Sequence, residues 1–282
     1  MKIKRNNLWL LLPIALLATS CTMLNSEGAL FTHYTIKDRA VPEAFDGFKI
    51  AFISDFHYKS TLREAGLAVI IKQLNESGAD IIILGGDYAE GRQRANLTER
   101  REANLRELFS YLVKLQAPYG VYAVLGNHDD YHLRNRVIAE INRAGITNLE
   151  NNGLALSRGS QRLWLAGVAD MRFSLPNLPA ALAGRRPDDF TILVSHTPDF
   201  VEQYDVSAIN LVLSGHTHGG QVTFLGWAPF TSSRYRQRYK YGLVPLPSGN
   251  GQIIITSGIG TSLLNVRLGP PEEIVIITLR AN

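Results

Sequence analysis

An α/β fold built on two β-sheets is what three features of this 282-residue chain predict. Short apolar runs alternate with helical periodicity from Phe48 to Ile141. The second half keeps the apolar runs but largely loses the helices between them. Polar residues cluster where the runs end, beside glycines, as ligand-binding residues do at the carboxyl ends of strands in open α/β sheets.

Taken in order, Lys49-Ile50-Ala51-Phe52-Ile53-Ser54 reads as a buried strand. Leu67, Ile70, Ile71 and Leu74 follow at helical spacing, and Gly78 stops that helix. Ile81–Leu84 is a second strand, ending in Gly85-Gly86-Asp87. Leu105, Leu108, Phe109, Leu112 and Val113 mark a second helix. Val121–Leu125 is a third strand, ending in Gly126-Asn127-His128-Asp129, and Leu133, Val137, Ile138 and Ile141 form a third helix. This alternation predicts a parallel sheet. Beyond it, Leu163–Gly167, Phe190–Val194, Asn210–Leu213, Gln252–Thr256 and Glu273–Leu279 read as strands, with one short helix near Pro198–Tyr204. They predict a second, mixed sheet packed on the first. No linker interrupts residues 47–282, which read as one domain.

Composition narrows the classes. Apolar residues are 45% and charged residues 19%, which suits a packed core and opposes disorder. Of 29 basic residues, Lys2, Lys4 and Arg5 lie in the first twenty, leaving 26 against 25 acidic ones. A globally basic nucleic-acid binder is disfavoured. The lone cysteine, Cys21, rules out an intramolecular disulfide and a Cys-rich zinc site.

The first twenty residues read as an export signal: a basic start, an apolar run from Leu8 to Ala18, and small residues before Cys21. That run is too short to span a bilayer about 30 Å thick as a helix. A cysteine directly after small residues resembles a bacterial lipobox, which implies a lipid anchor on Cys21. An ordinary cleaved signal or an uncleaved anchor remains as the alternative. Residues 21–46 read as a tether and lead-in strand. The leader predicts export and a position at the cell envelope, on its periplasmic or extracellular face.

Five of the seven histidines follow apolar strands directly: His57, His128, His196, His216 and His218. Packing alone does not explain five, because each buried imidazole needs polar partners. With Asp55, Asp87 and Asn127 the set is imidazole, carboxylate and one amide, suited to Mn²⁺, Fe²⁺ or Zn²⁺. Asp55, His57, Asp87, Asn127, His196, His216 and His218 are too many ligands for one ion. With Asp87 bridging, two ions about 3.5–4 Å apart each gain four protein groups.

These residues resemble the calcineurin-like metallophosphoesterase superfamily, whose blocks run D-x-H, G-D, G-N-H-[D/E], H and G-H-x-H. The chain has Asp55-Phe56-His57, Gly86-Asp87, Gly126-Asn127-His128-Asp129, His196 and Gly215-His216-Thr217-His218, in that order. Ser195–Asp199, Gly219-Gly220-Gln221, Gly260-Thr261-Ser262, Arg267 and Pro270-Pro271-Glu272 look like a bacterial exported or membrane-associated phosphodiesterase branch. The resemblance implies a four-layer αββα sandwich. It implies that Asp55, His57 and His218 bind one metal, that Asn127, His196 and His216 bind a second, and that Asp87 bridges. It further implies that His128 would contact the phosphate and donate a proton to the leaving group, that Asp129 would orient His128, and that two ions would supply an activated water as nucleophile, without a covalent intermediate. Tyrosine-ligated members place their tyrosine three residues after the bridging carboxylate, where this chain has Glu90, so Tyr88 is not expected to bind iron.

Substrate identity is less legible. Trp227, Phe230, Arg234, Tyr235, Arg236, Arg238, Tyr239, Lys240 and Tyr241 form a basic and aromatic segment suited to an anionic lipid headgroup, or simply a solvated loop. The expected partners are a phosphoester substrate and a membrane surface, with no nucleic acid, and the chain is expected to be a monomer. A phosphomonoesterase, a nuclease and a metal-free scaffold are the competing readings. The complete ligand set opposes the scaffold, and the near-neutral body opposes the nuclease.

Overall fold

The structure, a computed structural model of the chain, describes residues 28–89, 98–262 and 265–282. Cys21 and Glu90 lie outside the described residues. Among the described residues, strands form two six-stranded sheets. The first sheet runs, in spatial order, β1 (Leu30–Asp38), β12 (Glu273–Ala281), β2 (Lys49–Ile53), β3 (Ile81–Leu84), β4 (Val121–Ala123) and β5 (Thr147–Asn148). The second runs β10 (Gly242–Pro245), β11 (Gln252–Ile255), β9 (Leu211–Ser214), β8 (Thr191–Val194), β7 (Gln161–Gly167) and β6 (Asn152–Arg158). The helices are α1 (Glu64–Glu76), α2 (Thr98–Leu112), α3 (Asn127–Arg143) and the short α4 (Leu178–Ala181).

Strand periodicity builds the layers. Alternate residues of a strand face opposite sides of a sheet. Ala51, Ile53, Ile82 and Leu84 therefore face Leu67, Ile70, Leu108 and Val137 of α1–α3. Ile50, Phe52, Ile81 and Ile83 face the other way and meet Leu163, Leu165, Ile192, Val194, Leu211 and Leu213 of the second sheet. The outer face of that sheet, with Trp164, Leu193, Val212 and Ile255, is covered by Leu178 of α4, Phe200 of a 3₁₀ turn at Pro198–Glu202, and Tyr239. The result is the four-layer αββα sandwich, with a thin fourth layer.

Two expectations need correction. The strand at Glu273–Leu279, assigned from sequence to the second sheet, inserts into the first, between β1 and β2 and antiparallel to β2. That makes the first sheet mixed, although β2 to β4 are parallel as expected; β5, not read from sequence, continues them in parallel. Strands β6 and β10, not read from sequence, close the edges of the second sheet as antiparallel partners of β7 and β11. The lead-in strand is β1, which pairs in parallel with β12 along all nine residues and so belongs to the folded sheet.

Candidate metal centre

The carboxyl ends of β2, β3, β4, β8 and β9 meet at one end of the sandwich. From the first sheet come Asp55 and His57 after β2, Asp87 after β3, and Asn127 after β4, where α3 begins. From the second come His196 after β8, and His216 and His218 after β9. All seven are buried. Five of them (Asp55, His57, Asp87, His216 and His218) have positive φ, between 39° and 69°. Left-handed backbone at non-glycine residues is costly and persists where surrounding structure enforces it, characteristically at functional sites. At Gly86, φ is 96° and a Cβ would run into the backbone of Gly126, so only glycine lets the two loops meet.

The side chains form three overlapping groups whose ligand atoms lie within 4.8 Å of one another: Asp55, His57 and His218; His57, Asp87 and His128; and Asp87, His196 and His216. His57 and Asp87 link them. Asp87 Oδ1 accepts the His128 backbone N–H at 2.8 Å. Its Oδ2 lies 3.5 Å from His57 Nε2 and 3.2 Å from His196 Nε2. His57 Nε2 and His218 Nε2 are 3.1 Å apart. Three imidazoles are fixed from behind. Nδ1 of His57 faces the Ala89 carbonyl at 3.2 Å, that of His196 the Gly85 carbonyl at 2.7 Å, and that of His218 the Gly260 carbonyl at 3.2 Å. A proton on each Nδ1 leaves the Nε2 lone pair aimed into the site, the usual outer support of a metal-binding imidazole.

The electrostatics agree. Burial pushes His57 down to about 3, and holds His216 and His218 well below the usual imidazole range, so all three are neutral. Burial pushes Asp55 up to about 6. Burial also opposes charge on Asp87 and His196, but their mutual attraction wins: Asp87 falls well below the carboxylate range and His196 rises well above the imidazole range. A cation on Asp87 Oδ2 would replace the proton that this pair holds. Among the described residues, Asn127 Oδ1 and His216 Nε2 are buried with no hydrogen-bond partner, and His196 Nε2 faces only the Asp87 carboxylate. Such orphans are rare in stable proteins and call for an explanation. These three atoms are those assigned to the second metal, so donor chemistry and orphaned atoms both fit divalent cations.

The family model of the calcineurin-like phosphoesterases matches residues 48–220. The chain belongs to the calcineurin-like phosphoesterase family. It is thus a metallophosphoesterase, a hydrolase of phosphate esters. It is 31% identical over 253 residues to a *Bacillus subtilis* protein, the uncharacterized metallophosphoesterase YkuE, covering 89% of this chain and 85% of that one. It is 30% identical over 280 residues to phosphodiesterase YaeI of *Escherichia coli*, covering 93% of this chain and 96% of that one. The fold also matches the NAD nucleotidase NadN of *Haemophilus influenzae*, with TM-score 0.50, 13% identity, and coverage of 75% of this chain and 50% of that one.

Within this calcineurin-like frame one role changes. The family pattern assigns Asp129 to orienting the His128 ring. The Asp129 carboxylate instead accepts four backbone N–H bonds, from Asp87 at 2.7 Å, Tyr88 at 2.8 Å, Ala89 at 3.1 Å and Gly126 at 2.9 Å. It clamps the loop after β3 to the loop after β4. Among the described residues His128 Nδ1 is buried without a hydrogen-bond partner, and the ring stands edge-on to His57 with centroids 5.0 Å apart. Burial and the nearby Asp87 push Asp129 up to about 7, against its backbone donors. Tyr88 points into the core, its hydroxyl donating to the Val124 carbonyl at 3.1 Å, which suits the expectation that it binds no metal.

A cavity of about 550 Å³ opens onto Asp87, Asn127, His128, His216 and His218. Its outer wall includes Arg172, Phe173 and Phe230, of which sequence reading missed Arg172 and Phe173. No local pattern marks them, since they follow β7 in a turn whose Asp170 accepts the Arg172 N–H at 2.9 Å. Two further supports gain a physical role. Arg267 is buried and donates to the carbonyls of Ser257, Pro271 and Gly260, the last of which also faces His218 Nδ1. Glu273, at the start of β12, accepts from Ser257 N at 2.9 Å and from the hydroxyls of Thr256 and Tyr241, both at 2.8 Å.

Proposed function

We propose that the chain is a phosphodiesterase of the cell envelope, working through a two-ion site bridged by Asp87. Asp55, His57 and His218 would hold one ion, and Asn127, His196 and His216 the other, with Asp87 shared between them. The observation that carries this is the set of buried ligand groups linked through His57 and Asp87, with Asn127 Oδ1 and His216 Nε2 left without partners among the described residues and His196 Nε2 facing only the Asp87 carboxylate. Divalent ions there would supply Lewis acidity, acidifying water and neutralising phosphoryl oxygens.

The chain's own residues do the rest. His57, His216 and His218 stay neutral through burial and so offer lone pairs rather than protons. Asp129 keeps the Asp87 loop rigid through its backbone bonds. His128 lines the cavity beside Asp87. An imidazole there can give a proton to the oxygen of the departing alcohol. The diester preference is supported by the likeness to a protein named as a phosphodiesterase, and a cavity of about 550 Å³ opens beside the candidate ligands. The envelope location is supported by the basic-apolar leader ending at Cys21. Among the described residues no helix is long and apolar enough to cross a membrane.

The test is a panel assay of the purified protein on an aryl phosphodiester, an aryl phosphomonoester, a phospholipid and DNA, before and after chelation. Diester hydrolysis should vanish with chelator and return with Mn²⁺, Fe²⁺ or Zn²⁺. Activity that survives chelation, or a monoester cleaved faster than the diester, would overturn the reading. For the anchor, Cys21→Ala should release the protein from the membrane fraction or leave its leader unprocessed. Unchanged membrane attachment with an uncleaved leader in the wild type as well would replace the lipid anchor by an apolar one.

A further inference from the structure

A tight hairpin turn stands beside the cavity mouth. Phe224 and Trp227 exchange both backbone hydrogen bonds, at 2.8 and 2.9 Å, around Leu225 and Gly226. Both turn residues have positive φ, 49° and 80°, the type I′ geometry that Asn-Gly normally fills. A leucine in that position carries a steric cost. Its side chain is also fully exposed, at 109%, so packing offsets nothing. Phe224, Trp227 and Phe230 are more than half exposed as well. The tip is nevertheless held firmly. Thr223 N–H donates to the Leu268 carbonyl at 2.8 Å, the Gln237 amide bonds both backbone groups of Ala228, and the Lys240 ammonium donates to the Gly226 carbonyl. A contiguous apolar patch presented this way marks an interaction site rather than a folding element.

Charge and position identify what it meets. From Val206 to Pro271 the sequence has no Asp or Glu, while Arg234, Arg236, Arg238, Lys240 and Arg267 all fall within it. The guanidinium groups of Arg234, Arg236 and Arg238 are exposed, and Arg238 also pairs with Glu202 at 2.9 Å. Exposed aromatics and leucine ringed by cations complement an anionic lipid surface, the aromatics entering the headgroup level and the cations meeting lipid phosphates. The segments on either side of the tip, Gly220–Val222 and Pro229–Ser232, line the metal-site cavity. The chain before β1 leaves from the same end. β2 runs toward Asp55, β12 is antiparallel to it, and β1 is parallel to β12 with Leu30 opposite Glu273. Six residues separate Cys21 from Gly28, and the seven Cα-to-Cα steps reach roughly 25 Å when fully extended. A lipid on Cys21 would thus be tethered at the end of the sandwich that carries the cavity.

We infer that the Phe224–Trp227 tip docks the protein on an anionic bilayer, turning the cavity toward the membrane so that it takes the headgroup phosphoester of a membrane lipid. The docking stands alone, and only the substrate assignment rests on the phosphodiesterase reading. Two measurements test it. The first uses the full chain carrying Trp9→Phe, mixed with phosphatidylglycerol vesicles whose acyl chains are brominated. Trp227 emission should be quenched, and quenching should disappear in Trp9→Phe/Trp227→Phe, where only the buried Trp164 remains. Absent quenching, or equal quenching by phosphatidylcholine vesicles, would overturn docking on an anionic surface. The second compares wild type with Leu225→Glu. Hydrolysis of vesicle-borne phosphatidylglycerol should fall by about tenfold, as loss of one buried leucine implies, while hydrolysis of a soluble aryl diester stays unchanged. Equal loss on both substrates would overturn the membrane role. A wild type inert toward the soluble diester would instead overturn the phosphodiesterase reading, and the quenching measurement would still decide the docking.

Discussion

Four backbone N–H groups converge on the Asp129 carboxylate, and all of them are buried with it. A stranded buried donor costs about 1–3 kcal/mol. Asp129→Ala should therefore lose about 4 kcal/mol or more, lowering the melting temperature by roughly 10 °C for a chain of this size. Asp129→Asn, which keeps one acceptor oxygen, should fall between that variant and the wild type. An unchanged melting temperature in Asp129→Ala would return Asp129 to the role of orienting His128 alone. His128→Ala should behave oppositely. It should keep its bound metal and its melting temperature, yet lose turnover by about 10²–10⁴-fold. The loss should be smaller with an aryl leaving group, whose oxygen needs protonation less. Equal losses on aryl and alkyl esters would leave His128 only a phosphate-positioning role, and loss of metal would make it a ligand. At this scale the candidate ligands were legible because they carry unusual residue types at strand ends. The role of Asp129 was not, because what it binds is backbone, and backbone has no sequence signature.

The strands that position the site depend on the edge that β1 and β12 build. β1 lies along the whole of β12, whose Ile274 and Ile276 pack against the helices and whose Val275 and Ile277 face the second sheet. A chain beginning at Gly28 should fold, and one beginning at Val41 should aggregate or melt early. The reason is that a long apolar strand would gain an unpaired edge. Size-exclusion chromatography and a thermal melt of the two would show it; equal behaviour would make β1 dispensable. The glycine between β3 and Asp87 sets a second condition. Gly86→Ala must accept both φ 96° and a collision with the Gly126 backbone, so it should lose soluble expression or metal binding. Wild-type solubility and metal content would contradict that. The same elements explain what the sequence hid. β10 is four residues with a glycine at one end and a proline at the other, and β6 carries a weak, half-buried pattern. β12 reads clearly as a strand, but its apolar pattern suits either sheet, and only the register with β2 decides.

Across the whole molecule the site exists only because the two sheets stack with their strand ends aligned. The first sheet supplies Asp55, His57, Asp87 and Asn127, and the second supplies His196, His216 and His218. The order of these residues along the chain was legible. Their distribution in space was not: His218 of the second sheet joins Asp55 and His57 of the first, with His218 Nε2 3.6 Å from Asp55 Oδ1. The two outer ligand groups thus each span both sheets, and His57 and Asp87 link them. Two ions bridged by one carboxylate is the central claim, and elemental analysis of the purified, metal-replete protein tests it most directly. The arrangement predicts two divalent ions per chain in the wild type and a marked drop in Asp87→Asn, where an uncharged amide would replace the shared anion. A wild type that binds at most one ion per chain, or an Asp87→Asn variant that keeps two, would contradict it.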